Sequence, residues 1–230
     1  MNYIEYPMND SRRKIEALKN TYPNFILPMI GGESTFKQFA YAPFPIDLGL
    51  LGYRFLIRHK DDSLKYSNIT TLEQLINRKV VQGEGWFDSN ILRANGFKSV
   101  SEVPTQSIGN MIHFKRADLY FSSFVDVDKP RGEDVVVDDN LMLHYLSPRF
   151  FSSSKENKAA IERIYIGLTI AFKDGSLEML MDELLLAKLK QFKINKRKIF
   201  ELNNQDIEGL DARYQHWSDV SKQYIESRIK

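Results

Sequence analysis

Apolar and polar positions follow two periods along this chain, and the changes of period mark its elements. Residues 11–20 place Ile15 and Leu18 three apart among charges, the spacing of a short amphipathic helix that Tyr22-Pro23 stops. Residues 24–30 (NFILPMI) are an apolar run closed by Gly31-Gly32, which predicts a buried strand turning into a tight loop. Residues 52–59 set Tyr53, Phe55 and Ile57 against Arg54, Leu56 and Arg58, a second strand with one more polar face.

A new unit opens at Thr70, where Glu73 three residues later completes a capping box and Leu72, Leu75 and Ile76 supply the buried stripe of a helix. From there strands at 79–82, 98–103 and 118–122 alternate with helices at 87–94 and 107–115, a pattern that predicts right-handed crossovers and a parallel sheet, hence an α/β fold. Residues 125–139 are rich in Asp, Glu, Lys and Gly and predict a surface loop leading into Val135-Val136-Val137 and the apolar stretch 141–146. Ser153 with Glu156 forms a second capping box, opening a helix with Ala159, Ala160, Ile164 and Leu168 on one stripe as far as Asp174-Gly175; residues 176–190 predict another amphipathic helix. The six cations between Lys188 and Lys198 are the solvated end of that helix and the loop after it.

Composition narrows the classes. The 230 residues suffice for one large domain or two small lobes, and 43% hydrophobic with 27% charged residues is an ordinary globular balance. The 32 basic and 30 acidic side chains nearly cancel, which argues against a nucleic-acid partner. No cysteine is present, so disulfides, thiolate nucleophiles and Cys-ligated zinc are excluded. No apolar run approaches the ~18 residues a membrane span needs, and residues 1–13 lack the apolar segment of a secretory signal.

The chemical signals are few. His59, His113, His144 and His216 are scattered without paired spacing, so neither a metal nor any other cofactor is expected. The segment 32–36 (GESTF) starts like a nucleophile elbow but carries Phe36 where the second glycine must stand. In 82–88 (QGEGWFD) a strand passes through two glycines into a helix start whose N–H groups suit an anionic group, with Trp86 as a pocket wall, or else Asp88 simply serves as a first-turn acid. The loop 31–35 is a second such turn with hydroxyls and exposed backbone, followed by Lys37. No acid, base and nucleophile stand at a recognisable spacing, so catalysis is not expected.

Taken in order, several pieces resemble the type II periplasmic solute-binding proteins, the amino-acid-binding branch associated with ABC importers. They are 48–54 (LGLLGYR), 69–75 (ITTLEQL) before the Lys79-Val80-Val81 strand, 83–92 (GEGWFDSNIL), 115–118 (KRAD) before a strand, and 171–177 (AFKDGSL). The resemblance runs from about Asp10 to Trp217 and implies two α/β lobes, residues 1–60 with about 140–230 forming lobe one and 61–139 lobe two, closing on a small solute. It implies an extracytoplasmic monomer that hands an amino-acid-like or carboxylate-bearing solute to an importer permease or a receptor, with Gly32, Ser34, Lys37, Glu84, Trp86, Tyr120 and Ser122 as the ligand-binding residues. The alternatives are a ligand-sensing or protein-interaction domain without transport, and a vestigial fragment that binds nothing.

The sequence departs from that family in three places. Lys37 stands where an arginine would grip the ligand carboxylate, and a lysine is a poorer bidentate partner. Ser122-Ser123 offer hydroxyls where an acid would take the ammonium. The first strand, helix and strand of lobe one have no counterpart before residue 11, so an incomplete first lobe is expected.

Overall fold

A computed structural model of the chain describes residues 10–20, 25–127 and 134–229. Helix α1 (Asp10–Lys19) precedes β1 (Leu27–Ile30), the short α2 (Glu33–Phe36) and β2 (Ala40–Tyr41); a 3-10 turn at Leu50–Gly52 then leads into β3 (Tyr53–His59). Next come β4 (Lys79–Gly83), α3 (Asp88–Ala94), β5 (Ser99–Val103), α4 (Ile108–His113) and β6 (Leu119–Ser123). The chain continues through β7 (Val135–His144), β8 (Arg149–Ser153), α5 (Lys158–Lys173), α6 (Ser176–Phe192), β9 (Lys198–Glu201) and α7 (Val220–Arg228). The Tyr22-Pro23 stop and residues 128–133 of the expected surface loop lie outside the described residues.

The strands form two sheets, one of six in the order β5-β4-β6-β3-β7-β9 and one of three in the order β1-β8-β2. The expected parallel pairings hold for β4 with β5 and β6 and for β7 with β9, but β3 runs antiparallel to both β6 and β7, so the large sheet is mixed. β3 is buried on both faces, Phe55 and Ile57 packing into one apolar cluster and Leu56 into another. The first cluster also holds Leu177, Met181, Leu185 and Leu189 at helical spacing on α6, together with Tyr224 of α7. A third, smaller core gathers Leu27, Met29, Phe36, Phe39, Phe150 and Tyr214 around the three-stranded sheet.

Several expectations need correction. The boundary near residue 60 does not follow the sheets, because β3, β7 and β9 share the large sheet with the strands of 61–139. The helix expected after Thr70 is a single 3-10 turn, Leu72–Gln74, and its box uses Gln74, whose Oε1 accepts the Thr70 and Thr71 N–H groups at 2.7 and 3.1 Å. Ser153 is the last residue of β8 and donates to the Phe25 carbonyl at 2.7 Å, while the α-helix starts later, at Lys158. Val135–His144 is one strand rather than the end of a loop, its break around Asp138 held by that carboxylate accepting the Asn140 and Leu141 N–H groups at 2.8 and 3.0 Å. Nor is the basic run wholly solvated, since Arg197 is buried over the Phe55 ring, 4.7 Å from its centre, with Nε on the Phe192 carbonyl.

Candidate ligand-binding site

Segments 42–52 and 145–148 lead directly from one sheet to the other, residues 154–197 return from β8 to β9 through α5 and α6, and segment 202–211 leaves β9 toward the small sheet. Charged groups collect around the first two. At the start of β8, Arg149 extends Nε to within 3.8 Å of Asp47 and one terminal nitrogen to within 3.7 Å of Asp126, joining the small sheet to the segment after β6. Asp126 accepts the Ser123 hydroxyl at 3.0 Å. Asp47 is fully enclosed: one oxygen accepts the Gly49 N–H at 3.1 Å, and the other has no hydrogen-bond partner. Gly49 takes φ +77°, a left-handed conformation that suits glycine. Burial pushes the Asp47 carboxyl up to about 6, with Arg149 and the Gly49 N–H opposing the rise.

Behind this lies a charged centre. Arg54 of β3 contacts Asp88 at 2.8 Å and donates to the Ser147 hydroxyl at 3.2 Å, both charged side chains being over 90% buried. The Tyr145 hydroxyl donates to the same Asp88 oxygen, and the Arg54 guanidinium lies 5.0 Å from the centre of the Tyr145 ring. Burial opposes the Arg54 charge, and Asp88, Tyr145 and Asp126 together more than restore it, lifting its pKa above the ordinary guanidinium value. Burial likewise raises the Tyr145 and Tyr120 phenols.

The structure brings Trp86, Tyr120 and Ser122 to this centre. The indole lies against Gly83, where an added Cβ would fall 2.4 Å from the ring, and its centre is 6.4 Å from that of half-buried Tyr120. Tyr120 interacts with Ser122, Arg54, Asp88 and Asp126. Glu84 is exposed on the turn. That turn is already partnered by an internal acid, because Glu102 accepts the Gly85 N–H at 3.2 Å. Gly32, Ser34 and Lys37 belong to another contact: Ser34 bonds to Asp206, Gly32 lies against the same residue, and Lys37 pairs with Glu33 at 3.0 Å.

Sequence reasoning missed Arg54, Asp47, Arg149 and Asp206 as members of these clusters. An arginine within the apolar strand 53–57 was a usable signal for the first, since burying it demands an anion. A cavity of about 240 Å³ lies elsewhere, lined by His59, Asp62, Arg78, Lys115 and Asp118 among others; its Arg78 is paired with Asp62, and its Asp118 accepts the Lys79 N–H.

No protein-family model matches the chain, and no curated protein matches it. Solved structures do. An arginine 3rd transport system periplasmic binding protein from Legionella pneumophila matches with a TM-score of 0.56 and 16% identity, over 74% of this chain and 76% of that one. An ancestral arginine-binding protein bound to arginine gives 0.58 and 15%, over 78% of each chain. A histidine kinase sensor domain with similarity to periplasmic binding proteins gives 0.54 and 15%, over 76% and 75%. The chain has the two-lobed α/β fold of the type II periplasmic amino-acid-binding proteins. Among the described residues no helix is long and apolar enough to cross a membrane.

Proposed function

We propose that the chain is an extracytoplasmic solute-binding protein that holds a small, polar, amino-acid-like solute between its two sheets and presents it to an ABC importer. The observation that carries this reading is the convergence of Arg149, Asp126 and Asp47 between the sheets, beside the Arg54–Asp88 pair and the half-buried rings of Trp86 and Tyr120. Few polar groups among aromatic walls are what a small-molecule cleft requires. Closure of one lobe on the other would shift the population toward a form a membrane partner recognises. Nothing in the arrangement calls for catalysis, and binding is the whole of the proposed activity.

Thermal unfolding with amino acids, polyamines, small carboxylates and short peptides tests it. A solute at 100 times its Kd adds about 2.7 kcal/mol, which raises the midpoint of a chain this size by roughly 5–10 °C. Trp86→Ala and Tyr120→Ala should abolish that shift while leaving the ligand-free midpoint within a few degrees. A full shift in both variants, or no shift with any compound, sinks the reading.

The match to a histidine kinase sensor domain supports a second reading, the same cleft reporting its solute to a receptor without transport. Permease and ATPase genes beside the coding sequence favour the importer; a kinase gene there favours the sensor.

A further inference from the structure

The two longest helices carry an apolar surface that the chain itself does not cover. α5 packs against the small sheet, α6 sends Leu177, Met181, Leu185 and Leu189 into the first apolar cluster, and the two helices meet across the turn Asp174-Gly175, with Gly175 at φ +81°. On their outer sides stand Ile166 and Ile170 of α5 and Met179, Leu180 and Leu184 of α6, each 47–73% exposed. They are most of the large apolar side chains exposed among the described residues, and they recur a turn apart on each helix.

Gly167 belongs to the same outer side. It is exposed in the middle of α5, where a glycine costs helix stability, and a Cβ there would meet nothing within 4 Å. Packing within the chain gives no reason for the missing side chain, whereas a helix laid across this face would gain a closer approach at that point. Two charges border the apolar residues: Arg163 one turn before Gly167, and Glu183 next to Leu184. Both are exposed, and the ion pairs of these helices use Glu162, Glu178 and Asp182 instead, so that among the described residues Arg163 and Glu183 have no ion-pair partner.

We propose that the outer face of α5 and α6 is the interface of a homodimer. A two-fold contact sets one surface against its own copy, so a face with one unpaired charge of each sign satisfies both, Arg163 of each chain meeting Glu183 of the other. The apolar residues make a patch in the range of roughly 300–600 Å², as large as the largest on an ordinary monomer. Two such patches with their charged borders bury about 1,000 Å², the size at which specific interfaces begin. Glu183 beside Leu184 would be repelled by an anionic lipid surface, which favours a second copy over a membrane. This contact is independent of what the cleft holds, and it departs from the monomer that the resemblance implies.

Sedimentation equilibrium of the full chain at rising concentration tests the proposal. An interface near the lower bound of size should give a reversible dimer with a Kd on the order of 10⁻⁵ M. Leu180→Lys and Leu184→Lys should each raise that Kd at least about tenfold, while the unfolding midpoint of the dilute chain stays within a few degrees because both side chains are exposed. Arg163→Glu and Glu183→Arg should each weaken the dimer, and the two chains mixed should associate at least about threefold more tightly than either alone, since mixing restores both ion pairs. That comparison decides alone if a lysine variant fails to fold. A chain that stays monomeric up to about 200 μM overturns the proposal, as does a dimer that the lysine variants form as well as the intact chain, or mixed charge variants that gain nothing over either alone. Co-sedimentation of a monomeric intact chain with anionic lipid vesicles, lost in Leu180→Lys, would assign the face to a membrane and overturn it too.

Discussion

Asp47 should make the protein less stable as the pH rises from acid to neutral. Its carboxyl is enclosed beside Arg149, and burial pushes its pKa from the ordinary 3.8 up to about 6. The folded protein therefore holds this proton more tightly than the unfolded chain. The contribution is fully present below about pH 3.8 and is lost as the pH climbs through about 6. A difference of about two units at 1.36 kcal/mol each comes to about 3 kcal/mol.

Asp47→Asn isolates this effect. The amide keeps an oxygen for the Gly49 N–H and never ionises. The variant should match the intact chain near pH 4 and exceed it by up to about 3 kcal/mol at pH 7.5, roughly 5–10 °C in midpoint for a chain of this size. Asp62, Asp182 and Asp211, whose carboxyls sit below their ordinary range, impose the opposite slope, but they do so in both proteins and cancel in the difference. Urea unfolding at pH 4, 5, 6 and 7.5 reads the difference directly. A difference that stays flat across that range would refute the reasoning and place the Asp47 charge in a far better solvated setting than its geometry indicates.

Two further changes test the internal contacts. Arg54→Met leaves the Asp88 charge buried without its cation and should cost roughly 3–5 kcal/mol, whereas Arg54→Met with Asp88→Asn should cost clearly less; equal losses in urea unfolding would show that the pair is not coupled. Gly32→Ala drives a methyl into the Asp206 carbonyl and should cost roughly 1–3 kcal/mol, with loss of amide-exchange protection at Ser34; unchanged protection would show that the contact yields easily.

The stretch from β4 to β6 was legible in the sequence because each element there follows one period. Its strands and helices fall within a residue or two of the expected bounds, except that α4 is shorter than expected. The long β7 was less legible, since Asp138-Asp139-Asn140 interrupt its apolar alternation; only the folded chain shows Asp138 bonding to its own backbone and letting the strand continue. β9 and Arg197 were hidden in a basic run whose composition suggests solvent. An arginine carries a long apolar stem, and that of Arg197 spans the Phe55 ring while its nitrogens reach backbone carbonyls.

The site divides in the same way. Trp86, Tyr120 and Ser122 stand close together because a local turn and one strand carry them. Ser34, expected to meet a ligand, bonds instead to Asp206, which stands 172 positions further along, beyond any local pattern. The two ties between the sheets also differ in kind. Arg149 reaches its acids at 3.7 and 3.8 Å, ion pairs too long to be hydrogen bonds, which attract without fixing a direction. Asp206 meets Ser34 at 2.7 and 3.0 Å through two directed bonds, with glycines keeping the backbones close. Segment 202–211 is therefore the stiffer fastening and the Arg149 cluster the more compliant one. A change of angle between the sheets would stretch the Arg149 pairs before it broke the Asp206 contact.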